Sequence, residues 1–278
     1  MMRGMFAAIS GLRVHQTMLD VTANDIANVN TVGYKSERVT FKDALSQTIR
    51  GASAPGPTTS LGGTNPAQIG LGVQLGSIDN LMSPGAIQST GNTTDMAIQG
   101  DGWFQVTNDP TGFSPANTYY TRAGNFSRDA NGDLVTSDGY YLVGNTGALA
   151  AGSPTKINIP ADATSVSIDP KGVVTVVTPT GTTTTYITMA KFPNEAGLQR
   201  EGGNRFSATN NSGTPVVSTP GDATQGFGSI TTGAVEMSNV DLAQEFTNLI
   251  TAQRGFQANS RVISTADDML QELVNLKH

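Results

Sequence analysis

Few side chains in this sequence could do chemistry, and their spacing limits what each can do. The run Asp129-Ala130-Asn131-Gly132-Asp133 alternates oxygen ligands as a calcium loop does. An EF-hand loop, however, needs glycine at its sixth position and glutamate at its twelfth, whereas here glycine is fourth and Tyr140 is twelfth. A hairpin turn over Asn131-Gly132 is the better reading. Gly100-Asp101-Gly102, before Trp103, resembles a nucleotide loop only faintly, because no helical pattern and no GK[ST] follow. It reads as a turn feeding a strand. Asp267, Asp268 and Glu272 sit in a helical pattern, the last two sharing a face. Paired acids do acid–base work only when burial separates their pKa values. With no facing polar partners, a solvated or inter-subunit face is expected. The two histidines, His15 and His278, lack convergent metal ligands and read as exposed or helix-flanking. There is no cysteine, hence no disulfide, thiolate metal site or cysteine nucleophile. No GxSxG, HExxH or Walker loop occurs. The expectation is no catalytic residue, no cofactor, no metal, no small-molecule substrate, and no enzyme.

Composition points the same way. Of 278 residues, 14% are charged and 37% hydrophobic, with 32 glycines, which favours neutral polar surface, turns and strands. The net charge of −6, without a Lys/Arg cluster, argues against nucleic acid as a partner. The N-terminal apolar run is interrupted by Arg3, Gly4 and Gly11, and no stretch approaches about 18 apolar residues. Any export is therefore expected to proceed without a cleaved signal peptide.

The elements that must organise such a chain lie at its ends. Over 238–278, Leu242, Phe246, Leu249, Phe256, Ile263, Leu270 and Val274 recur at steps of 4, 3, 7, 7, 7 and 4, a heptad-like stripe broken by Gln253, Ser260 and Asp267. A second stripe, Met5, Ile9, Leu12, Leu19, Ala23 and Ile26, ends in the Asn-rich turn before Gly33. Each stripe is a seam that wants a partner, and each supplies one to the other, within one chain or between neighbours. Gly255 inside the second helix reads either as a tolerated defect or as a point of close helix approach, since glycine costs about 1 kcal/mol relative to alanine there.

Between the helices, 36–50 is either a short helix or an extended segment, and 51–72 is dense in Gly, Pro, Ser and Thr without an apolar period. Runs at 96–98, 103–106, 119–122, 133–136, 140–143, 156–159, 173–177 and 184–189 carry β-branched and aromatic residues between turn signals. Residues 85–89 (GAIQS) echo 233–237 (GAVEM); this is either chance similarity in a Gly/Ala-rich chain or kinship, and in the latter case the entering and leaving strands of this part lie side by side. The expected fold is α+β: long N- and C-terminal α-helices packed as a coiled-coil-like pair, with an inserted all-β middle domain. The expected division is 1–35, N-terminal helix; 36–72, extended linker; 73–237, β-rich domain; and 238–278, C-terminal helix.

Several stretches resemble one known family. The run from Ala23-Asn24-Asp25-Ile26-Ala27-Asn28 through Thr31-Val32-Gly33-Tyr34-Lys35 is similar to the N-terminal signature of bacterial flagellar rod and hook proteins. Gly63-Thr64-Asn65-Pro66, Asp95-Met96-Ala97-Ile98, Thr121-Arg122-Ala123-Gly124 and Ser238-Asn239-Val240-Asp241-Leu242 agree with it. The linker motif and the ending from Ala252 resemble a compact hook protein more than the distal rod.

The resemblance implies a structural subunit of the flagellar hook, a tubular flexible joint that transmits torque from rod to filament. A distal rod subunit is the alternative, and a secreted β-rich adhesin or enzyme a remote one. It implies as partners the chain's own copies, the rod and hook–filament junction proteins, the hook cap and the flagellar export apparatus. The implied place is outside the cell, in the hook and basal body. The two stripes would form the assembly seam. Marginal in isolation, the helices are expected to order on polymerisation.

Overall fold

The structure, a computed structural model, describes residues 2–54, 63–109, 117–147 and 153–276. The chain forms two units. The first comprises Met1–Ala27, Glu37–Asp79 and Asp241–His278; the second comprises Asn28–Ser36 and Asn80–Val240.

In the first unit, α1 (Met2–Ala27) and α2 (Leu242–Asn275) run antiparallel. Gly11 meets Asn259, Gly255 meets His15, and Asp25 acts on Glu245, so the paired numbers rise on one helix as they fall on the other. At 1.5 Å per residue the helices span about 39 and 51 Å. Asp241 starts α2 as its N-cap, its carboxylate accepting from the amides of Ala243 and Gln244 at 2.9 and 3.3 Å. On α1 the buried positions include 8 and 22, and 11 and 25; on α2 they are 252 and 266. Each pair is two heptads apart, which is the geometry of a coiled-coil-like contact.

Residues 37–80 were expected to begin as a linker. Instead they fold as an antiparallel ribbon: β1 (Glu37–Asp43) pairs with β4 (Val73–Asn80), and β2 (Ser46–Arg50) with β3 (Ala67–Gly70), with a further bridge from Ser53 to Thr64. Turn-like composition hid this, because a two-stranded pair needs no apolar period when both its faces are largely open. Residues 55–62 of the expected linker lie outside the described residues. The ribbon is tied to α1 at three points. Ser10 Oγ accepts the Val73 amide at 3.2 Å, the His15 ring stands edge-on to Phe41 with centroids 5.8 Å apart, and the Asp25 carboxylate accepts the Glu37 amide at 3.1 and 3.2 Å.

The second unit is β-rich. Among the described residues its main sheet has thirteen strands. Their central path runs Ser165–Ile168, Val173–Thr178, Gly181–Ile187, Tyr141–Asn145, then Trp103–Thr107, Thr118–Thr121, Arg205–Ser207 and Gln199–Gly202. Alternation along the strands buries Met96, Phe104, Val106, Phe126, Leu134, Leu142, Ile157, Val174 and Ile187 in one core. A second, smaller core gathers Trp103, Tyr120, Ala190, Phe192, Leu198 and Phe206. The echoing segments are strand partners: β5 (Ile87–Ser89) pairs antiparallel with Ala234–Glu236, with Glu236 opposite Ile87. Beside them β6 (Met96–Gln99) pairs with Ser229–Thr232. No helix among the described residues is long and apolar enough to cross a membrane.

Candidate functional site

The chemistry-bearing motifs resolve into structural roles. Asp129 Oδ1 accepts the amides of Asn131 and Asp133 at 2.9 and 2.8 Å. Asp133, fully buried, holds Lys156 Nζ at 2.5 Å and Asn158 Nδ2 at 2.7 Å. The oxygen-rich loop is thus closed by backbone amides and a lysine ammonium, and the Asp133 hydrogen bond raises the Lys156 pKa. Asp101, in the turn before Trp103, pairs with Lys191 at 2.9 Å. Asp267, Asp268 and Glu272 are exposed along α2. Among the described residues no group of three or more metal-ligating acids or histidines occurs. A surface cavity of ≈ 260 Å³ is lined by Gln105, Tyr120, Val143, Thr188 and Val217 among others, without a charged side chain.

His278 lies outside the described residues. His15 differs from its expected exposed or helix-flanking place: it is half-buried, and its Nδ1 is buried without a hydrogen-bond partner. The ring fills the notch left by Gly255. A Cβ there would stand 2.5 Å from His15 Cε1. Gly255 is therefore a point of close approach rather than a defect.

None of the residues of the two stripes is among the fully buried positions of the helix pair. Ala8, Gly11, Val14, Thr22 and Asp25 of α1 are buried, and Ala252 and Ala266 of α2. Of the seam residues, Met5, Ile9, Leu12, Leu19, Ile26, Leu249, Ile263 and Leu270 are half-buried, while Leu242, Phe246, Phe256 and Val274 are exposed. Small residues let two backbones approach, and the distance between helix axes follows the side chains at the contact. Large apolar residues are left at the flanks. Phe246 is 51% exposed and Ile250 57%. The ribbon adds Phe41, Leu45, Ile49, Ile69, Leu71, Leu75 and Ile78, all exposed. Exposed apolar side chains thus lie both along α2 and along the ribbon of this unit.

A second arrangement, in the β-rich unit, escaped sequence reasoning. Lys35 and Glu236 pair at 2.6 Å, and Arg122 approaches the other Glu236 oxygen at 3.4 Å, all three side chains being 1% exposed. Lys35 Nζ also donates to the Ser83 carbonyl at 2.9 Å, and the Gly85 amide to Glu236 Oε1 at 2.9 Å. The Arg122 guanidinium lies 5.3 Å from the Trp103 ring centroid. Burial pulls the Lys35 pKa below its ordinary value, with Glu236 opposing that shift. Burial pushes the nearby Glu195 carboxyl up, with Arg122 drawing it back. Around this cluster the chain crossings are stitched together. Asn239 Oδ1 accepts the Ser36 amide at 2.8 Å, and its Nδ2 donates to the Leu81 and Ser83 carbonyls. Arg200 donates to the Lys35 carbonyl and to Asn80 Oδ1 and stacks on Tyr34. The available signal was the scarcity of charge: Lys35 and Arg122 sit inside otherwise neutral motifs.

Comparison with known proteins agrees with this architecture. Residues 5–35 match the family described as flagella basal body rod protein, 97–176 the flagellar hook protein FlgE/F/G D1 domain, and 231–276 the flagellar basal body rod FlgEFG protein C-terminal. The chain is 50% identical over 280 residues to the flagellar basal-body rod protein FlgG of Bacillus subtilis, covering 100% of both chains. It is 42% identical to the protein of the same name in Agrobacterium fabrum, covering 96% of this chain and 97% of that one. The flagellar hook protein FlgE of Borreliella burgdorferi is 28% identical over 452 residues, covering 100% of both. A helix pair with open apolar flanks, a β-rich unit between its helices in sequence, and these matches together make the chain a member of the flagellar rod and hook protein family, a structural subunit of the flagellar axis.

Proposed function

We propose that this chain is a subunit of the flagellar basal-body rod, the distal rod reading, rather than of the hook that the sequence motifs favoured. The observation that carries it is the 50% identity, over the full length of both chains, to a relative named as a rod protein, against 28% to one named as a hook protein. The motifs at 23–35 and 238–242 are shared across the family, so they say axial subunit without saying which.

In this reading the polymer is a tube of the chain's own copies. Leu242, Phe246, Phe256 and Val274, with the half-buried seam residues, meet neighbouring helices, and the apolar side chains of the ribbon meet neighbouring subunits. Each such side chain that becomes fully buried contributes about 1.5–3 kcal/mol, so a few per subunit drive assembly. The subunit reaches its place through the flagellar export apparatus and abuts the other rod proteins and the hook.

Electron microscopy of the purified chain, concentrated until it polymerises, tests the proposal. Straight, stiff tubes are expected. Curved or supercoiled tubes would restore the hook reading, and a chain that stays monomeric while binding a ligand would remove both.

A further inference from the structure

The buried cluster of Lys35, Arg122 and Glu236 has an order in sequence that matters for how the chain folds. Lys35 lies near the start. The counter-ion whose pairing opposes the effect of its burial belongs to residue 236, which is 201 positions later. A buried ammonium without a paired anion is strongly unfavourable. Glu236 supplies more than charge: its backbone carbonyl accepts the Gly33 amide at 2.8 Å, and its carboxylate accepts the Gly85 amide at 2.9 Å. Three stretches far apart in sequence, 33–36, 83–85 and 236–239, therefore share one set of bonds, which Asn239 extends to the Ser36 amide. Arg122 cannot replace Glu236, because it carries the same sign as Lys35 and itself leans on that carboxylate at 3.4 Å.

We propose that Glu236 is a completion latch: the segment Asn28–Ser36 stays undocked from the β-rich unit until the chain through residue 236 is in place, and then locks by pairing Lys35 with Glu236. A chain that emerges N-terminus first would keep this segment free while its middle part folds. Closing it would be among the last steps, because β5 must first receive Ala234–Glu236 as its partner strand.

The test uses the full-length protein and amide hydrogen exchange. In pulse-labelled refolding, the Gly33 and Ser36 amides should become protected together with those of 234–236, and after those of Trp103–Thr107 and Tyr141–Asn145. Protection of Gly33 and Ser36 ahead of 234–236 would overturn the latch. At equilibrium, Glu236→Gln should speed exchange at Gly33 and Ser36 by about 100-fold relative to Trp103–Thr107, the scale for breaking a buried pair from one side. Lys35→Met added to Glu236→Gln should recover at least part of that loss, since no unpaired ammonium remains. If Glu236→Gln leaves the two amides unchanged, or if Lys35→Met adds to the loss, the pairing is not what holds the segment.

Discussion

His15 of α1 stands in the space that a side chain at position 255 of α2 would need. One turn away the arrangement is reversed: Gly11 of α1 receives Asn259 of α2, whose Nδ2 lies 2.5 Å from where a Cβ would be. The two helices thus interlock by a reciprocal pair, a ring into a glycine in one direction and an amide into a glycine in the other. This favours one register, because each side chain occupies space that only the glycine opposite leaves open.

It follows that Gly255→Leu destabilises the helix pair even though leucine is the better helix former. The propensity gain is about 1 kcal/mol, and overpacking typically costs 1–3 kcal/mol. A lower thermal midpoint of the helical circular-dichroism signal is expected. His15→Ala in the same chain should recover part of the loss, a non-additivity of about 0.5–3 kcal/mol characteristic of residues in contact.

The two faces of α2 should respond differently to the same change. Ala252 is 0% exposed against α1 whereas Phe246 is 51% exposed. Ala252→Asp buries an unpaired charge and should unfold the pair. Phe246→Asp and Phe256→Asp should leave the monomer as stable as before within about 0.5 kcal/mol, the usual range for surface substitutions, yet suppress polymerisation by sedimentation. Normal polymers from both phenylalanine variants would refute the assembly role of that flank.

Ala252 and Ala266 are the fully buried positions of α2 within one chain, so in the proposed polymer neighbouring helices supply much of its stability. In dilute monomer the amides of α2 should exchange quickly compared with those of the main sheet, and in the polymer they should become protected. Strong protection of both helices in dilute monomer would contradict folding coupled to assembly.

Burial raises the Glu245 pKa, and Asp25 and Asp241 raise it further, while the Asn248 amide draws it back. The folded state then binds a proton more readily than the unfolded chain. As pH rises from the usual glutamate range through the raised folded value, Glu245 destabilises the helix pair; as pH falls through that window the loss is regained. Urea midpoints between neutral and mildly acidic pH should show this slope, and Glu245→Gln should flatten it and stabilise the chain at neutral pH.

The oxygen-rich loop at 129–133 should be indifferent to calcium. Addition of calcium chloride or a chelator should leave the melting midpoint unchanged. Asp133→Ala, which removes one of the two acceptors of the Asn158 amide and the partner of Lys156, should cost about 1–3 kcal/mol. A calcium-dependent midpoint would show that the lysine can be displaced.

Much of this protein was determined by its sequence alone. The heptad-like stripes specify two long helices, because side chains repeat on a helix face every three or four residues wherever the helix lies. Alternating β-branched runs between turn signals specify the strands, and the echo of 85–89 in 233–237 falls on two segments that pair.

Tertiary structure alone decided which helix face pairs. Pattern reading follows large apolar residues, but the close approach is at Gly11 and Gly255, where the absence of a side chain is what matters, and the buried positions of α2 are the small Ala252 and Ala266. It also decided the ribbon, whose pairing of 37–50 with 67–80 is a matter of backbone hydrogen bonds that composition does not encode. The cluster of Lys35, Arg122 and Glu236 was the least visible. Charges separated by 87 and 114 residues carry no local signature, because their interaction depends on distance in space and on the water removed around them, and both are properties of the folded chain.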